Sequence, residues 1–402
     1  PGDTDVLDGH VDPRFADLAS RLRRMIPRGA PGGAALAVWF EGRCVVDLWG
    51  GTRDRRGSPW TRETTAPCFS TTKGVLSTLV HRLVDEGRAG YDDPVALHWP
   101  AFAAEGKERI TLRQVLCHET GLHRMRDLVA HPDEMLDWAH MLERIAAARP
   151  AYVPGAAHGY QAITYGWIAG GLAEAIGGAP LAVLLREKLA EPLGLDGLFV
   201  GMPPEALHRR ALLIHDDGVS GAAPVPGSGP LGRLQRRIEA GLRRLGVDGE
   251  EIRAALLPFD VPFDWNAERT VRAVIPAANG QFTARALARL YAMIAEGGAL
   301  DGVRVLSPAR VAAMGEVQNR GRDRVLCIPM HWRAGYHRVF SYGARVPRGF
   351  GHFGYGGSGA FCDPSRRLAL ALTVNAGVGT PVGDLRILRM ATDAVTAADR
   401  VR

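Results

Sequence analysis

The chain has 402 residues, 46% of them hydrophobic and 23% charged, with a formal net charge of +6. That length and balance describe a globular protein with a real core and exclude a disordered or fibrous chain. The positive charge is diffuse arginine without interleaved aromatics, and no apolar run reaches the ~18 residues of a membrane span, so neither nucleic-acid binding nor stable membrane insertion is expected.

Five cysteines (Cys44, Cys68, Cys117, Cys327, Cys362) are odd in number and lack Cys-x-x-Cys spacing. They read as reduced thiols, neither a disulfide framework nor a zinc site. The N-terminus is polar and acidic, with no signal peptide in this numbering, which predicts a cytoplasmic enzyme.

In chain order, Asp12-Pro13 reads as a helix N-cap followed by proline at the first helical position. Phe15, Leu18, Leu22, Met25 and Ile26 then share one helical face, ended by Pro31-Gly32-Gly33. Ala34 to Phe40 and Cys44 to Trp49 are apolar strands joined by a tight hairpin at Glu41-Gly42. Gly50-Gly51 and the charged run Arg53 to Arg56 read as a loop.

The next stretch, Cys68-Phe69-Ser70-Thr71-Thr72-Lys73-Gly74-Val75-Leu76, carries chemistry. A short β-like lead-in from Pro67 to Phe69 meets a helical pattern at Val75, Leu76, Leu79, Val80 and Leu83. Ser70 therefore sits where strand gives way to helix, and Lys73 lies one turn on, on the same face. A serine hydroxyl is a weak nucleophile until a neighbour takes its proton. The helix dipole and burial both disfavour a charged Lys73, leaving a neutral amine as the base. Only three of the 49 basic residues are lysine, namely Lys73, Lys107 and Lys188. Arginine could not do this work, because it does not deprotonate. The competing reading is that Ser70 is a helix cap and Lys73 a solvated first-turn residue.

Beyond this helix the pattern becomes helical with long loops. Asp92-Asp93-Pro94 is a turn, and a helix follows over Ile110 to Leu116 with Thr111 as its cap. His118-Glu119-Thr120-Gly121-Leu122-His123 resembles a zinc-protease helix superficially. Its histidines are five apart, where a ligand pair on one helical face needs four, so it reads as a structural loop. Tyr160 lies in the loop Pro154 to Ala162, ahead of a helix from Ile163 to Ile176 closed by Gly177-Gly178. Beside a lysine its phenol is expected to titrate lower and to relay the serine proton; otherwise it is half-buried packing.

A proline- and arginine-rich insertion occupies about 204–262. Within it Leu231, Leu234, Ile238, Leu242 and Leu245 define a basic amphipathic helix. It reads as a surface helix, with a flap over the active site or a membrane-surface contact as alternatives. Ala286 to Ile294 is a helix, Gly351 to Asn375 reads as two strands linked by Asp363-Pro364-Ser365-Arg366, and Asp384 to Ala398 is the closing helix.

Gly354, Gly356 and Gly359 satisfy G-x-G-x-x-G, but a strand follows where a dinucleotide site needs a helix. The glycines instead let a ligand approach backbone amides that could form an oxyanion hole. No Gly-x-Ser-x-Gly occurs, and Ser358 comes nearest to one.

Ser70-Thr71-Thr72-Lys73, Tyr160 after Pro154-Gly155, and His352-Phe353-Gly354 stand in the order and near the spacing of the serine β-lactamase and penicillin-binding-protein superfamily. The chain most resembles the class C-like esterases, the family VIII carboxylesterases, over nearly all of its length apart from the insertion. The resemblance implies that Ser70 is acylated and that Lys73 and Tyr160 share the general-base work. It further implies an oxyanion hole from the amides of Ser70 and Tyr355, with His352, Gly354 and Gly356 lining the substrate site. His352 takes the place of a lysine in true β-lactamases, and Ala162 that of their substrate-binding asparagine. Ester hydrolysis of small, short-chain substrates is therefore expected, without metal or cofactor. Same-superfamily β-lactamase, D-amino peptidase or acyltransferase activity, or a non-catalytic binding role, are the alternatives.

The implied fold is α+β: an antiparallel sheet flanked by helices and built from both termini (1–75 and 270–402), with an inserted mostly helical domain (76–269).

Overall fold

The computed structural model of the protein describes residues 7–214, 248–256, 263–377 and 385–401. Its centre is a seven-stranded antiparallel sheet. In spatial order the strands are Asp8–Val11 (β1), Arg43–Gly51 (β3), Gly33–Phe40 (β2), Leu368–Val374, Gly359–Asp363, Phe350–Phe353 and His337–Arg338. Strands from the two ends of the chain meet where Leu368–Val374 pairs with β2, Leu368 opposite Phe40 and Val374 opposite Ala34.

Both of these central strands are buried along their whole length, because helices cover both faces of the sheet. Strand alternation sorts their side chains. Leu36, Val38, Leu370 and Leu372 face a cluster completed by Ala16–Met25 (α1) and the C-terminal helix Leu385–Val401. The opposite face carries Ala35, Ala37, Ala369 and Ala371. These small side chains let the helix Ala284–Ala295 lie close against the sheet, and behind it the core runs on into the helical part of the chain.

Local signals act where they were read. Asp12 accepts from the Arg14 amide at the head of a 3-10 turn that runs into α1. Glu41 and Gly42 both take positive φ, the conformation of a two-residue hairpin. Thr111 and Gln114 form a reciprocal capping box on Leu112–Leu116. The helix Thr164–Gly177 ends on left-handed Gly178. His118 to His123 is a loop.

Three expectations need correction, and one strand had no reading in the sequence. Gly50 and Gly51 belong to β3, paired with Ala34 and Gly33; ladder hydrogen bonding overrides glycine's poor strand propensity. The polar N-terminal segment supplies β1, an edge strand that shows no apolar alternation because it is largely exposed. The Gly351 to Asn375 region holds three strands, since Phe350–Phe353 precedes a 3-10 turn at Tyr355–Gly357. The lead-in to Ser70 is extended only over Ala66–Pro67, and Phe69 adopts a left-handed φ of 41°.

The amphipathic helix expected over Leu231 to Leu245 lies outside the described residues. Its flanks are tied down: Leu213 and Asn266 exchange two hydrogen bonds, and Glu251 on Gly249–Leu256 accepts from His123 and Arg124. Among the described residues no single helix is long and apolar enough to cross a membrane. All five cysteines are free thiols.

Lys107 is fully buried, and its ammonium group donates to the carbonyls of Ala104 (2.6 Å), Ala146 (3.0 Å) and Ala148 (2.5 Å), clamping the end of the helix Trp138–Ala147. Replacing it with methionine keeps the stem but strands three acceptors. Lys107→Met is expected to lower stability by about 3 kcal/mol in urea unfolding, while the turnover of folded molecules stays native.

Candidate active site

The helix Thr71–Asp85 (α2) is buried on nearly every side, which takes Lys73 out of water. Ser70 occupies its N-cap position, yet its side chain makes no capping bond. The hydroxyl is engaged elsewhere. Lys73 Nζ lies 3.0 Å from Ser70 Oγ, and the Tyr160 hydroxyl donates to the same oxygen at 2.7 Å. Lys73 Nζ also donates to the carbonyls of Ala162 (2.6 Å) and Ala277 (3.0 Å). The lysine is fully buried with no carboxylate beside it, and desolvation pulls its pKa well below 10.5.

The lysine does not lower the tyrosine. Nζ sits over the ring face, 5.0 Å from the centroid, and no hydrogen bond joins it to the phenol oxygen. Burial drives the Tyr160 pKa up, the Ser70 hydrogen bond opposes part of the rise, and the charge of Asp323 adds a smaller increment to it. The phenol keeps its proton.

Three buried histidines surround this centre, all neutral. His352 donates from Nδ1 to the Phe353 carbonyl (3.1 Å), which leaves Nε2 as a buried acceptor without a protein partner. Its ring is 6.1 Å from that of Tyr160. His337 donates to the Arg338 carbonyl and accepts from the Phe353 amide; burial brings its pKa down to about 4. His118 accepts from the Gln161 amide and packs 5.1 Å from Tyr160 and 4.3 Å from Trp332. Trp332 in turn stacks on Tyr160, 5.6 Å away and 11° from parallel. His118 was read from sequence as loop structure only, and Trp332 and His337 not at all. The histidine motif was a signal for the first; the others come from far along the chain with no motif.

The turn after Phe350–Phe353 brings a second backbone segment against Ser70. A Cβ on Gly354 would stand 2.3 Å from the Cys68 carbonyl and 2.9 Å from Thr71 Oγ1, so only glycine permits this approach. Gly354 and Thr71 both donate to the Ser358 carbonyl, pinning the turn to the start of α2. Gly356 holds a φ of 82° and turns the chain back into the sheet. Among the described residues, neither the Ser70 nor the Tyr355 amide has a protein acceptor. Phe69 is ringed by Tyr355 (5.5 Å) and Trp265 (5.3 Å), which packs on Phe263 (4.8 Å), an aromatic wall beside the serine. Among the described residues no cluster of histidine, cysteine or carboxylate side chains could hold a metal ion.

A half-buried serine at the head of α2 in contact with a buried lysine on it, a tyrosine from the neighbouring loop and a glycine turn beside a sheet edge are features of the β-lactamase and penicillin-binding-protein fold. The chain belongs to the beta-lactamase family, whose model matches residues 16–394. It is 41% identical over 372 residues to the esterase/beta-lactamase LipL of Mycobacterium tuberculosis, covering 91% of this chain and 82% of that protein. Among solved structures, a penicillin-binding-protein homologue from Caulobacter crescentus superposes with a TM-score of 0.84 at 35% identity, covering 98% of this chain and 100% of that one. A family VIII carboxylesterase superposes with a TM-score of 0.83 at 31% identity, over 99% of this chain and 100% of that one.

Ser358 is structural: its hydroxyl accepts from the Val374 amide at 3.1 Å inside the sheet. Ser358→Ala is expected to cost about 1 kcal/mol in thermal unfolding and to leave kcat for a short p-nitrophenyl ester native.

Proposed function

We propose that the protein is a serine carboxylesterase that hydrolyses small, short-chain esters through an acyl-enzyme on Ser70. The observation that carries this reading is the double contact on Ser70 Oγ, with Lys73 at 3.0 Å and Tyr160 at 2.7 Å. A neutral Lys73 has two N–H bonds and one lone pair. The N–H bonds are taken by the Ala162 and Ala277 carbonyls, which aims the lone pair at the serine O–H.

Lys73 then removes the serine proton as Oγ attacks the ester carbonyl. The developing oxyanion is met by the amides of Ser70 and Tyr355. Tyr160, which retains its proton, donates first to Oγ and then to the departing alkoxide, and the phenolate left behind recovers the proton held by Lys73 once the alcohol has gone, so that the serine proton is balanced by the one carried off in the alcohol. Water reverses the sequence to release the acid. Tyr160 thus shares the proton transfer as a donor, while Lys73 is the base.

The surroundings favour neutral esters. The aromatic wall offers apolar area, and the neutral imidazole of His352 presents an acceptor where β-lactamases place a cation. Ala162 has no amide to hold a β-lactam side chain, and its backbone carbonyl is spent on Lys73. Nitrocefin turnover is accordingly expected to be far below that of a short p-nitrophenyl ester, since sites built on such a hydrogen bond discriminate strongly when it is missing. Comparable turnover of the two would overturn the ester reading.

Ser70→Ala is expected to abolish ester hydrolysis and fluorophosphonate labelling, and native activity in a preparation free of host esterases would refute the assignment. Tyr160→Phe keeps the ring and is expected to lose about 10²-fold in kcat. The pH profile follows from Lys73. Its base form exists above its depressed pKa, so kcat/KM rises with pH along a limb well below 10.5 and is lost as pH falls through it. Lys73→Arg, unable to deprotonate, is expected to remain inactive across that whole range.

A further inference from the structure

Asp323 is fully buried, and among the described residues every donor to its carboxylate is an uncharged N–H. Its carboxylate is balanced by neutral donors alone. One oxygen, Oδ1, accepts from three backbone amides, those of Tyr160 (3.1 Å), Val325 (2.9 Å) and Leu326 (2.9 Å). The other, Oδ2, accepts from the indole Nε1 of Trp332 at 3.0 Å. Its own backbone closes the loop from which it projects, through the Ile328 carbonyl and the Cys327 amide. Burying a charge without a cation is costly even when every lone pair is used. An asparagine would accept from the same backbone amides at a lower desolvation cost. The carboxylate therefore has a use that loop closure does not explain.

That use follows from its two partners outside the loop. Tyr160 is held at its backbone by Oδ1, and its ring is held by the stacked Trp332, which Oδ2 fixes through the indole. One carboxylate thus sets both the main-chain position and the ring plane of the residue whose hydroxyl must reach Ser70 Oγ. We propose that Asp323 is a positioning residue that holds the Tyr160 phenol in hydrogen-bonding register with the nucleophile. The proposal rests on the catalytic reading of Tyr160 given above. A phenol with two backbone dihedrals and two side-chain torsions to settle would otherwise lose that register, and misplacement of a reacting group by about 1 Å can cost as much as 10²-fold.

Asp323→Asn leaves an acceptor for the three amides but turns an N–H₂ toward the indole N–H, so two donors meet and the stack shifts. The variant is expected to lose about 10-fold or more in kcat on a short p-nitrophenyl ester, with KM within about two-fold of native. The deciding measurement is the same substitution on a Tyr160→Phe background. With no hydroxyl to position, Asp323→Asn is expected to cost almost nothing further there. An equal fold-loss on both backgrounds would mean that Asp323 only supports the fold, and a native kcat in Asp323→Asn would remove the role altogether. If Asp323→Asn does not fold, Trp332→Phe, which keeps a stacking ring and deletes the indole N–H, is read by the same cycle. A near-native Tyr160→Phe would defeat the catalytic reading of the phenol itself. A slow Tyr160→Phe beside a native-rate Asp323→Asn would defeat the positioning role alone.

Discussion

The burial of one lysine governs this site. Lys73 stands in a fully desolvated position with no anion, on a helix that is buried almost all round. An ammonium group there loses hydration that two carbonyls and a hydroxyl only partly replace, so the neutral amine becomes competitive. Once neutral, it has a lone pair, and two fixed carbonyls leave that lone pair one direction to point. The reactivity proposed for Ser70 is in this sense a consequence of core packing. The contrast with Lys107 makes the point. That ammonium group meets three carbonyls and no hydroxyl, which leaves it a clamp with no nucleophile to activate.

No charged histidine flanks Lys73 in the rest of the centre. His118, His337 and His352 are neutral for the same reason, burial, and their hydrogen bonds assign one tautomer each. The arginines that supply most of the positive charge lie outward, in pairs such as Arg62–Asp47, Arg113–Asp92 and Arg400–Asp17. Exposed pairs of this kind contribute about 0–1 kcal/mol each and leave the interior's electrostatics to the site itself.

The sheet supplies geometry to this chemistry. Joining strands from both ends of the chain, it sets the Tyr355 turn beside the head of α2. Gly354 is the residue that lets the two backbones approach, since any side chain there would collide with the Cys68 carbonyl. The helical part of the chain delivers Tyr160 from the other side, with Trp332 and Asp323 behind it from a third segment.

Local chemistry was legible in the residues alone because it depends on neighbours in sequence. The Glu41-Gly42 hairpin, the Thr111 cap, the helix that starts after Ser70 and the scarcity of lysine each involve a few adjacent positions. The edge strand Asp8–Val11 and the third strand Phe350–Phe353 were not legible, since pairing with a distant partner creates them and no periodicity marks a short exposed or glycine-bearing segment. The same division runs through the site. Sequence order by itself picked out which hydroxyl, amine and phenol meet at Ser70 Oγ. Only the tertiary structure decided their proton states: burial disfavours a charged Lys73 and keeps the proton on Tyr160, because desolvation disfavours whichever form carries the charge.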